Sequence, residues 1–147
     1  MYDDLLVPTD GSERTDAAVE HAVALAEAFD ATVHVLSVVD TRNRFESPSA
    51  GVAAEAWVDA ERERADEAVA RVAEALPDHV AVETVTRDGT PAAEIVGYAE
   101  EAPVDAIVMA THGRSGLDRY LMGSVTEKVV RSSSVPVLTV SGGAEED

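Results

Sequence analysis

Residues 105–116, Asp-Ala-Ile-Val-Met-Ala-Thr-His-Gly-Arg-Ser-Gly, decide the fold of this chain. The first six are apolar enough for a strand that is buried on both faces of a parallel sheet. Gly113 and Gly116 follow, and they let the backbone bend where side chains would clash. Further along, Ser124-Val-Thr-Glu127 fits the S-x-x-E pattern of a capped helix start. These signals predict a buried strand, a glycine-rich loop and a helix over residues 125–132.

A loop of this kind is suited to binding an anion. Its N–H groups and the positive end of the following helix dipole both face the ligand. The local charge agrees, because residues 112–134 carry a net charge of +2 whereas the rest of the chain carries −20. A polyanionic ligand would be repelled from most of the remaining surface. We therefore predict that this loop binds phosphate.

Outside this stretch, short apolar segments alternate with segments of helical periodicity. Ser12 and Thr90 are predicted to cap two of the helices, and Pro91 follows Thr90 at the first helical position. The alternating order predicts an α/β fold: one doubly wound, five-stranded parallel sheet with helices on both faces. We predict strands at 5–7, 31–39, 80–86, 105–110 and 135–140, a long helix at 53–76, a mobile loop at 41–51, one domain over 1–140 and a flexible acidic tail over 141–147.

The charge of the chain limits its partners. It has 29 acidic against 11 basic residues, a net charge of −18, and Lys128 is its only lysine. Such a surface repels nucleic acids and anionic membranes. Concentrated salt would screen the self-repulsion, so we expect a salt-accumulating halophile as the source. An ordinary acidic cytosolic protein is the alternative, and folding measured against KCl distinguishes the two.

Two further features bear on the cellular location. The chain has no cysteine, which excludes disulfides and thiolate metal sites. Residues 1–6 lack the basic and apolar regions of a signal peptide, and no apolar run approaches the roughly 20 residues that span a bilayer. We therefore predict a cytoplasmic protein without nucleic-acid or membrane partners.

The predicted fold also gives the place of a ligand. In an open parallel sheet, ligands bind beyond the carboxyl ends of the strands, where the winding direction reverses. The first strand ends at Pro8-Thr9-Asp10, and the strand before the glycine loop ends at Ala110-Thr-His112. If these strands are neighbours, Asp10 and the loop share a crevice, and the second strand could wall it near Val38. Met109 is predicted to pack in the core, although it could border the same crevice.

Several of these motifs together resemble the universal stress protein family. Pro8-Thr-Asp-Gly-Ser12 follows the first strand, and Gly113 and Gly123 are the second and third glycines of a Gly-x2-Gly-x9-Gly-Ser pattern. The closing Ser134-Val-Pro-Val-Leu138 matches as well, so the resemblance covers nearly the whole chain. It implies the strand order 3-2-1-4-5 and a homodimer formed through the last strand, residues 135–140.

The branch of the family that carries this pattern binds ATP or AMP. Carried over by position, Asp10 and the backbone near Val38 would hold the adenosine end. Mg²⁺ can accompany ATP, but Asp10 is the one nearby carboxylate, so no protein-held metal site is predicted. The phosphate contacts implied by the resemblance come from Gly113, Gly123, Ser124 and the amide of Val125.

Ala110 departs from the family pattern, which has glycine at this position. Alanine cannot adopt the positive φ values that glycine tolerates without strain. If the backbone at Ala110 is that of an ordinary strand, the methyl group is harmless and could pack on the ribose. If the position requires a positive φ, nucleotide binding is weakened.

Three functions remain open from the sequence. The first is a regulatory protein of the stress response that binds an adenine nucleotide with little or no hydrolysis, because no general base is evident. His112 has no partner for a base-and-nucleophile pair, so a structural hydrogen bond in the loop is expected of it. Arg114 is predicted either to contact phosphate or to be solvated. His34 is expected at the surface or half-buried, and Thr126 is expected to be polar filler.

The other two functions are alternatives to a regulatory protein that binds a nucleotide without hydrolysing it. An ATP-cleaving enzyme of related fold would carry Ser-Gly-Gly-x-Asp-Ser after the first strand, where this chain has Thr9-Asp-Gly-Ser12. A dimeric interaction protein with a vestigial ligand site is the third function, and Ala110 keeps it open. Steady turnover of ATP would indicate the enzyme, and absence of any nucleotide affinity would indicate the interaction protein.

Overall fold

The computed structural model describes residues 1–41, 52–111 and 117–141. In these parts of the chain, five strands and four helices alternate. Most of the predicted loop at 41–51 and of the predicted tail lies outside the described residues. The elements are β1 (Asp4–Pro8), α1 (Thr15–Phe29), β2 (Thr32–Asp40), α2 (Val52–Ala75), β3 (Val82–Gly89), α3 (Pro91–Glu101), β4 (Ala106–Thr111), α4 (Leu117–Ser132) and β5 (Val137–Ser141).

The strands form one parallel sheet in the order β3-β2-β1-β4-β5. The chain winds from β1 outward through β2 to β3, and then crosses back to lay β4 and β5 on the other side. This confirms the predicted doubly wound α/β fold and its strand order. β3 and β5 are the edge strands of the described sheet.

Each face of the sheet has its own apolar core, because successive residues of a strand point to opposite faces. α1 and α2 cover one face, and α3 and α4 cover the other. In β1, Leu5 and Val7 belong to the first core and Leu6 to the second, and all three are fully buried. Within the described ranges, no helix combines the length and apolar character needed to cross a bilayer.

α4 begins earlier than the sequence predicted. It starts at Leu117, so Ser124 lies inside the helix and the predicted capping box at Ser124 is wrong. Between these two positions lie the good helix formers Arg119, Leu121 and Met122, which favour extension of the helix towards the amino terminus. Glu127, the other half of the predicted box, instead accepts a hydrogen bond from Arg131 at 2.6 Å.

The two predicted capping side chains do not cap. Arg14 is the N-cap residue of α1, and the N–H of Thr15 bonds to the carbonyl of Ser12 at 3.3 Å, so the backbone of Ser12 closes this turn. Thr90 is the N-cap residue of α3, but its side chain makes no capping hydrogen bond. Its carbonyl accepts the N–H of Glu94 at 2.9 Å. Neither helix start therefore has a side-chain cap.

A buried polar network joins β1, β2 and α3. His34 was predicted to be at the surface or half-buried, but it is 5% exposed. Its Nε2 lies 2.9 Å from Oδ1 of Asp4, and its Nδ1 lies 2.7 Å from the hydroxyl oxygen of Tyr98. Burial, and then the carboxylate of Glu83, raise the pKa of Tyr98. Tyr98 therefore keeps its proton at neutral pH, so its hydroxyl group can donate to Nδ1 of His34 while the N–H at Nε2 donates to the carboxylate of Asp4.

Arg87 of β3 covers the outer side of this network. Its guanidinium carbon lies 5.0 Å from the ring centroid of Tyr98, within the range of a cation–π contact. It also donates a hydrogen bond to Glu101 at 2.7 Å, which raises the pKa of Arg87 and lowers the pKa of Glu101. One cation thereby joins the edge strand β3 to Tyr98 and Glu101 of α3.

Tyr98→Phe is expected to lower the free energy of unfolding by about 1–3 kcal/mol, because it leaves Nδ1 of His34 buried without a donor. Tyr2→Phe is the matched control, since Tyr2 packs edge-on against Phe29 through its ring. Urea denaturation at constant KCl measures both variants. Equal stability of the two would show that the network contributes nothing to folding.

Candidate functional site

β1 and β4 separate at their carboxyl ends. Their hydrogen-bonded ladder ends at the pair Leu6–Ile107, although β1 continues to Pro8 and β4 to Thr111. On its other side, β1 stays paired with β2 along its whole length. The separation leaves a crevice between β1 and β4 where the winding of the sheet reverses, which is where ligands of such folds bind.

Pro8 explains why the ladder stops. Successive residues of a strand direct their backbone groups to opposite sides. The carbonyl of Asp4 accepts the N–H of Asp105 on the β4 side, and the N–H of Thr9 bonds to the carbonyl of Leu36 on the β2 side at 2.8 Å. By this alternation the nitrogen of Pro8 faces β4, and proline has no N–H to donate. The sequence removes a donor at the position where β4 departs.

The loop after β1 is held in place by its own side chains. The buried hydroxyl oxygen of Thr9 lies 3.3 Å from that of Thr15 and accepts the N–H of Gly11 at 3.0 Å. Gly11 has a φ of +85°, a conformation that favours glycine. Oδ1 of the exposed Asp10 accepts the N–H of Ser12 at 2.9 Å. These bonds fix Asp10 at the rim of the crevice.

Asp10 retains the capacity to bind a ligand. Its hydrogen bond to Ser12 forms a turn within the loop and does not cap α1. An ionised carboxylate has about four acceptor positions, and this bond uses one of them. Such a group suits ribose hydroxyl or amine donors. Within the described residues, no cluster of three or more His, Cys, Asp or Glu side chains could hold a metal ion.

The side chains of Met109 and Ala110 belong to the two cores. Met109 packs beneath α3 and α4, whereas Ala110 packs beneath α1 and α2, and both are more than nine-tenths buried. Only the backbone at these positions is therefore suited to contact a ligand. Val38, near the carboxyl end of β2, is half-buried beside the second core. It supplies apolar surface next to the crevice.

The backbone of Ala110 is that of an ordinary strand. Ala110 is paired with Val140 of β5. Among the described residues other than glycine, Asp30 is the one with a positive φ. The alanine at this motif position therefore causes no backbone strain, which answers the question that the sequence left open.

The predicted phosphate-binding residues are only partly within the described chain. His112, Gly113 and Arg114 lie outside it. Gly123 and Ser124 lie in α4, and the side chain of Ser124 is exposed.

The start of α4 affects the predicted amide contacts. Because the helix begins at Leu117, the N–H groups of Ser124 and Val125 come after its second turn. There the carbonyls one turn earlier accept such N–H groups. Asp10 and Val38 thus lie near the carboxyl ends of β1 and β2, whereas the structure does not present the amides of Ser124 and Val125 as free donors.

Three buried polar atoms in the described part of the chain have no hydrogen-bond partner. They are Oγ of Ser12, Nε of Arg14 and Oγ1 of Thr126. Sequence reasoning took Ser12 for a helix cap and Thr126 for polar filler, and it overlooked Arg14. An arginine at the start of a helix opposes the helix dipole, which favours acidic residues there. This unfavourable position was the signal in the sequence that could have drawn attention to Arg14.

Comparison with known proteins identifies the family. A model of the universal stress protein family matches residues 1–141. The chain belongs to this family. Universal stress protein MJ0531 of Methanocaldococcus jannaschii is 38% identical over 151 residues, which cover 99% of this chain and 86% of that protein. The resemblance inferred from the motifs is thereby confirmed.

Solved structures of family members share the fold. The structure of MJ0577, also from Methanocaldococcus jannaschii, has a TM-score of 0.83 and 32% identity, and the match covers 99% of both chains. A universal stress protein solved in complex with cAMP has a TM-score of 0.64 and 26% identity, with 97% of this chain and 98% of that chain covered. The family therefore includes a protein that binds an adenine nucleotide on this scaffold.

Ala110→Gly is expected to lower the free energy of unfolding by about 1–2 kcal/mol, because a buried methyl group is lost and the unfolded chain gains freedom. Its affinity for ATP should equal that of the wild type, since the methyl group packs in the core. Ala106→Gly, a buried alanine at the other end of β4, is the matched control. Urea denaturation and ATP titration measure both. Tighter ATP binding by Ala110→Gly alone would show that the methyl group obstructs the ligand.

Proposed function

We propose that this protein binds an adenine nucleotide, ATP or AMP, in the crevice between β1 and β4. The observation that carries the proposal is the separation of these strands at the switch point of the sheet, with the carboxylate of Asp10 at its rim. The cAMP complex of a related protein supports it. The bound nucleotide would act as a regulatory ligand in a stress response, with little or no hydrolysis.

The adenosine end would lie towards β2. Pro8 and Thr9 form the floor of the crevice, and Asp10 accepts hydrogen bonds from the ribose or the adenine amine. The apolar surface near Val38 suits a ring face, and the backbone there offers hydrogen bonds to the ring edge. Met109 and Ala110 would contribute through their backbones, because their side chains are buried in the cores.

The phosphates would lie towards α4. Ser124 offers an exposed hydroxyl group. The preceding residue of the helix is Gly123, which has no side chain. His112, Gly113 and Arg114 remain proposed contacts of the loop between β4 and α4. A contribution from the amide of Val125 requires α4 to begin later than Leu117. Mg²⁺ bound with ATP would be held mainly by the phosphates, with Asp10 as its one nearby carboxylate.

The test is the nucleotide that the purified protein carries. Protein purified in molar KCl should release ATP or AMP near one equivalent per chain on denaturation, identified by chromatography. Asp10→Ala should carry far less, because a charged hydrogen-bond acceptor is lost. Glu13→Ala, which removes an exposed carboxylate three residues further along, should carry as much as the wild type.

Gly123→Val tests the α4 side separately. Valine is compatible with the helical backbone at this position, so the variant should fold, whereas its side chain would exclude a phosphate. Retention of nucleotide by Gly123→Val would remove α4 from the site. Absence of nucleotide in the wild type, together with no affinity for Mg-ATP, would favour an interaction protein. Steady release of phosphate from ATP would favour a slow hydrolase.

We further propose that the protein is a homodimer formed through β5. β5 is an edge strand whose outer backbone groups have no neighbour within the described sheet. Its Leu138 is 41% exposed, and no residue from Val137 to Ser141 is charged. An exposed apolar edge favours pairing with another strand. In a chain of net charge −18, an uncharged strand is where two copies approach with least repulsion.

The other edge of the sheet is protected against such pairing. β3 carries Glu83, Arg87 and Asp88, and charged residues on an edge strand oppose pairing with a second chain. Arg87 is also engaged with α3. The two edges of one sheet thus differ in charge, and the comparison favours β5.

Leu138→Lys should convert the dimer into a monomer, because it places a charge on the apolar edge. Val82→Lys, at a similarly exposed position on β3, should leave the dimer intact. Light scattering after size-exclusion chromatography in molar KCl gives the mass of each. A monomer for Val82→Lys and a dimer for Leu138→Lys would move the interface to β3.

The proposed setting is a salt-rich cytoplasm. The excess of 18 negative charges is its support, because concentrated salt screens repulsion between exposed carboxylates. The nucleotide and assembly measurements are therefore designed in molar KCl.

A further inference from the structure

Arg14 differs from the five other arginines whose side chains the structure describes. These five form ion pairs with carboxylates, as expected in a chain with 29 acidic residues. Arg14 forms no ion pair and no hydrogen bond with any described residue, and its Nε is buried. Lys128 is also unpaired, but it is exposed on α4. The five arginines with carboxylate partners are Arg62, Arg64, Arg71, Arg87 and Arg131.

The absence of a partner is notable because carboxylates are close in the sequence. Asp10, Glu13 and Asp16 lie within four residues of Arg14. Asp16 instead pairs with Arg71 at 3.3 Å, and Asp10 accepts the N–H of Ser12. Glu13 is exposed. None of these three carboxylates satisfies the buried N–H of Arg14.

A second unsatisfied donor lies in the same turn. The hydroxyl of Ser12 is buried without a partner, two residues before Arg14 and two after Asp10. Buried polar groups are nearly always hydrogen-bonded in folded proteins, and an exception calls for a partner such as a ligand. The guanidinium can only donate hydrogen bonds, and the hydroxyl group can donate as well. The two groups together therefore favour an anion as their partner. The planar guanidinium fits phosphate oxygens in particular.

The turn lies on the same edge of the sheet as the crevice. It follows the carboxyl end of β1, and α1, which begins immediately after Arg14, packs against β1, β4 and β5. The start of α1 therefore lies over the carboxyl ends of the strands that border the crevice. Its position is on the face opposite to α4, so it could contact a phosphate group from the side that the sequence motif does not cover.

We infer that Arg14 and Ser12 bind a phosphate group of the nucleotide, and that Arg14 determines preference for phosphorylated over unphosphorylated adenine ligands. This inference rests on the proposed nucleotide site. It adds a contact from the β1–α1 turn to those expected from the loop after β4. The guanidinium of Arg14 supplies the charge, and the hydroxyl of Ser12 supplies a second donor.

The inference predicts a selective loss of affinity. Arg14→Gln should bind ATP and AMP roughly 10-fold or more weakly, while its affinity for adenosine stays at the wild-type value. Ser12→Ala should show a smaller loss of the same kind. Arg71→Gln is the matched control, because Arg71 of α2 contacts the carbonyl of Ser12 in the same turn at 3.5 Å but already pairs with Asp16. Calorimetric titration in molar KCl measures all four proteins.

A direct readout separates this inference from the proposed function. The readout is the NMR spectrum of protein labelled with ¹⁵N-arginine. The Nε–H signal of Arg14 is assigned as the signal that the wild type shows and Arg14→Gln lacks. It should shift on addition of ATP, and also on addition of inorganic pyrophosphate. If the wild type binds ATP but this signal does not move, the inference is overturned and the nucleotide site stands. If ATP does not bind but pyrophosphate moves the signal, the anion contact stands and the nucleotide site fails.

Two further outcomes would overturn the inference. An equal loss of affinity for adenosine and for ATP in Arg14→Gln would show that Arg14 only shapes the loop. A signal that responds to neither ATP nor pyrophosphate would show that water alone satisfies its N–H. Circular dichroism of Arg14→Gln checks that the variant is folded, and Arg14→Lys, which keeps the charge but lacks Nε, should recover part of the ATP affinity.

Discussion

The crevice between β1 and β4 depends on a hydrogen bond that cannot form. Pro8 places a nitrogen without hydrogen on the side of β1 that faces β4, and the ladder between these strands ends before it. On the β2 side the alternation of donors continues undisturbed to Thr9. The same strand is therefore fully paired on one side and open on the other. The loop that carries Asp10 begins where this asymmetry is greatest.

Much of the fold was predictable because strands buried on both faces leave a strong signal. Leu5, Leu6 and Val7 form a continuous apolar run, without the polar residue at every second position that a strand with one solvent-exposed face would have. A parallel sheet covered by helices on both faces buries all three. Pro91 likewise marked the start of α3 correctly. The chain order then left few topologies, and the motifs selected one of them.

The predictions failed where several local signals competed. Ser124 and Glu127 fit a capping box, but the helix formers ahead of them extend α4 to Leu117. His34 looked like a surface residue because histidine is polar, and only the fold brings Asp4 and Tyr98 to its two nitrogens. Pairing across 30 and 64 positions of the chain leaves no trace in local spacing.

A single carboxylate at the far end of the sheet has a consequence for the crevice. Oδ2 of Asp105 accepts the N–H groups of both Asp3 and Asp4, at 2.8 and 3.0 Å, and so fastens β1 to β4 at their amino ends. The two strands are thus joined at one end and released at the other. The separation at the open end is therefore set by the backbone, through the bonds of Asp105 at one end and the missing donor of Pro8 at the other. Side-chain substitutions elsewhere around the opening can then change its chemistry while the width of the gap stays the same.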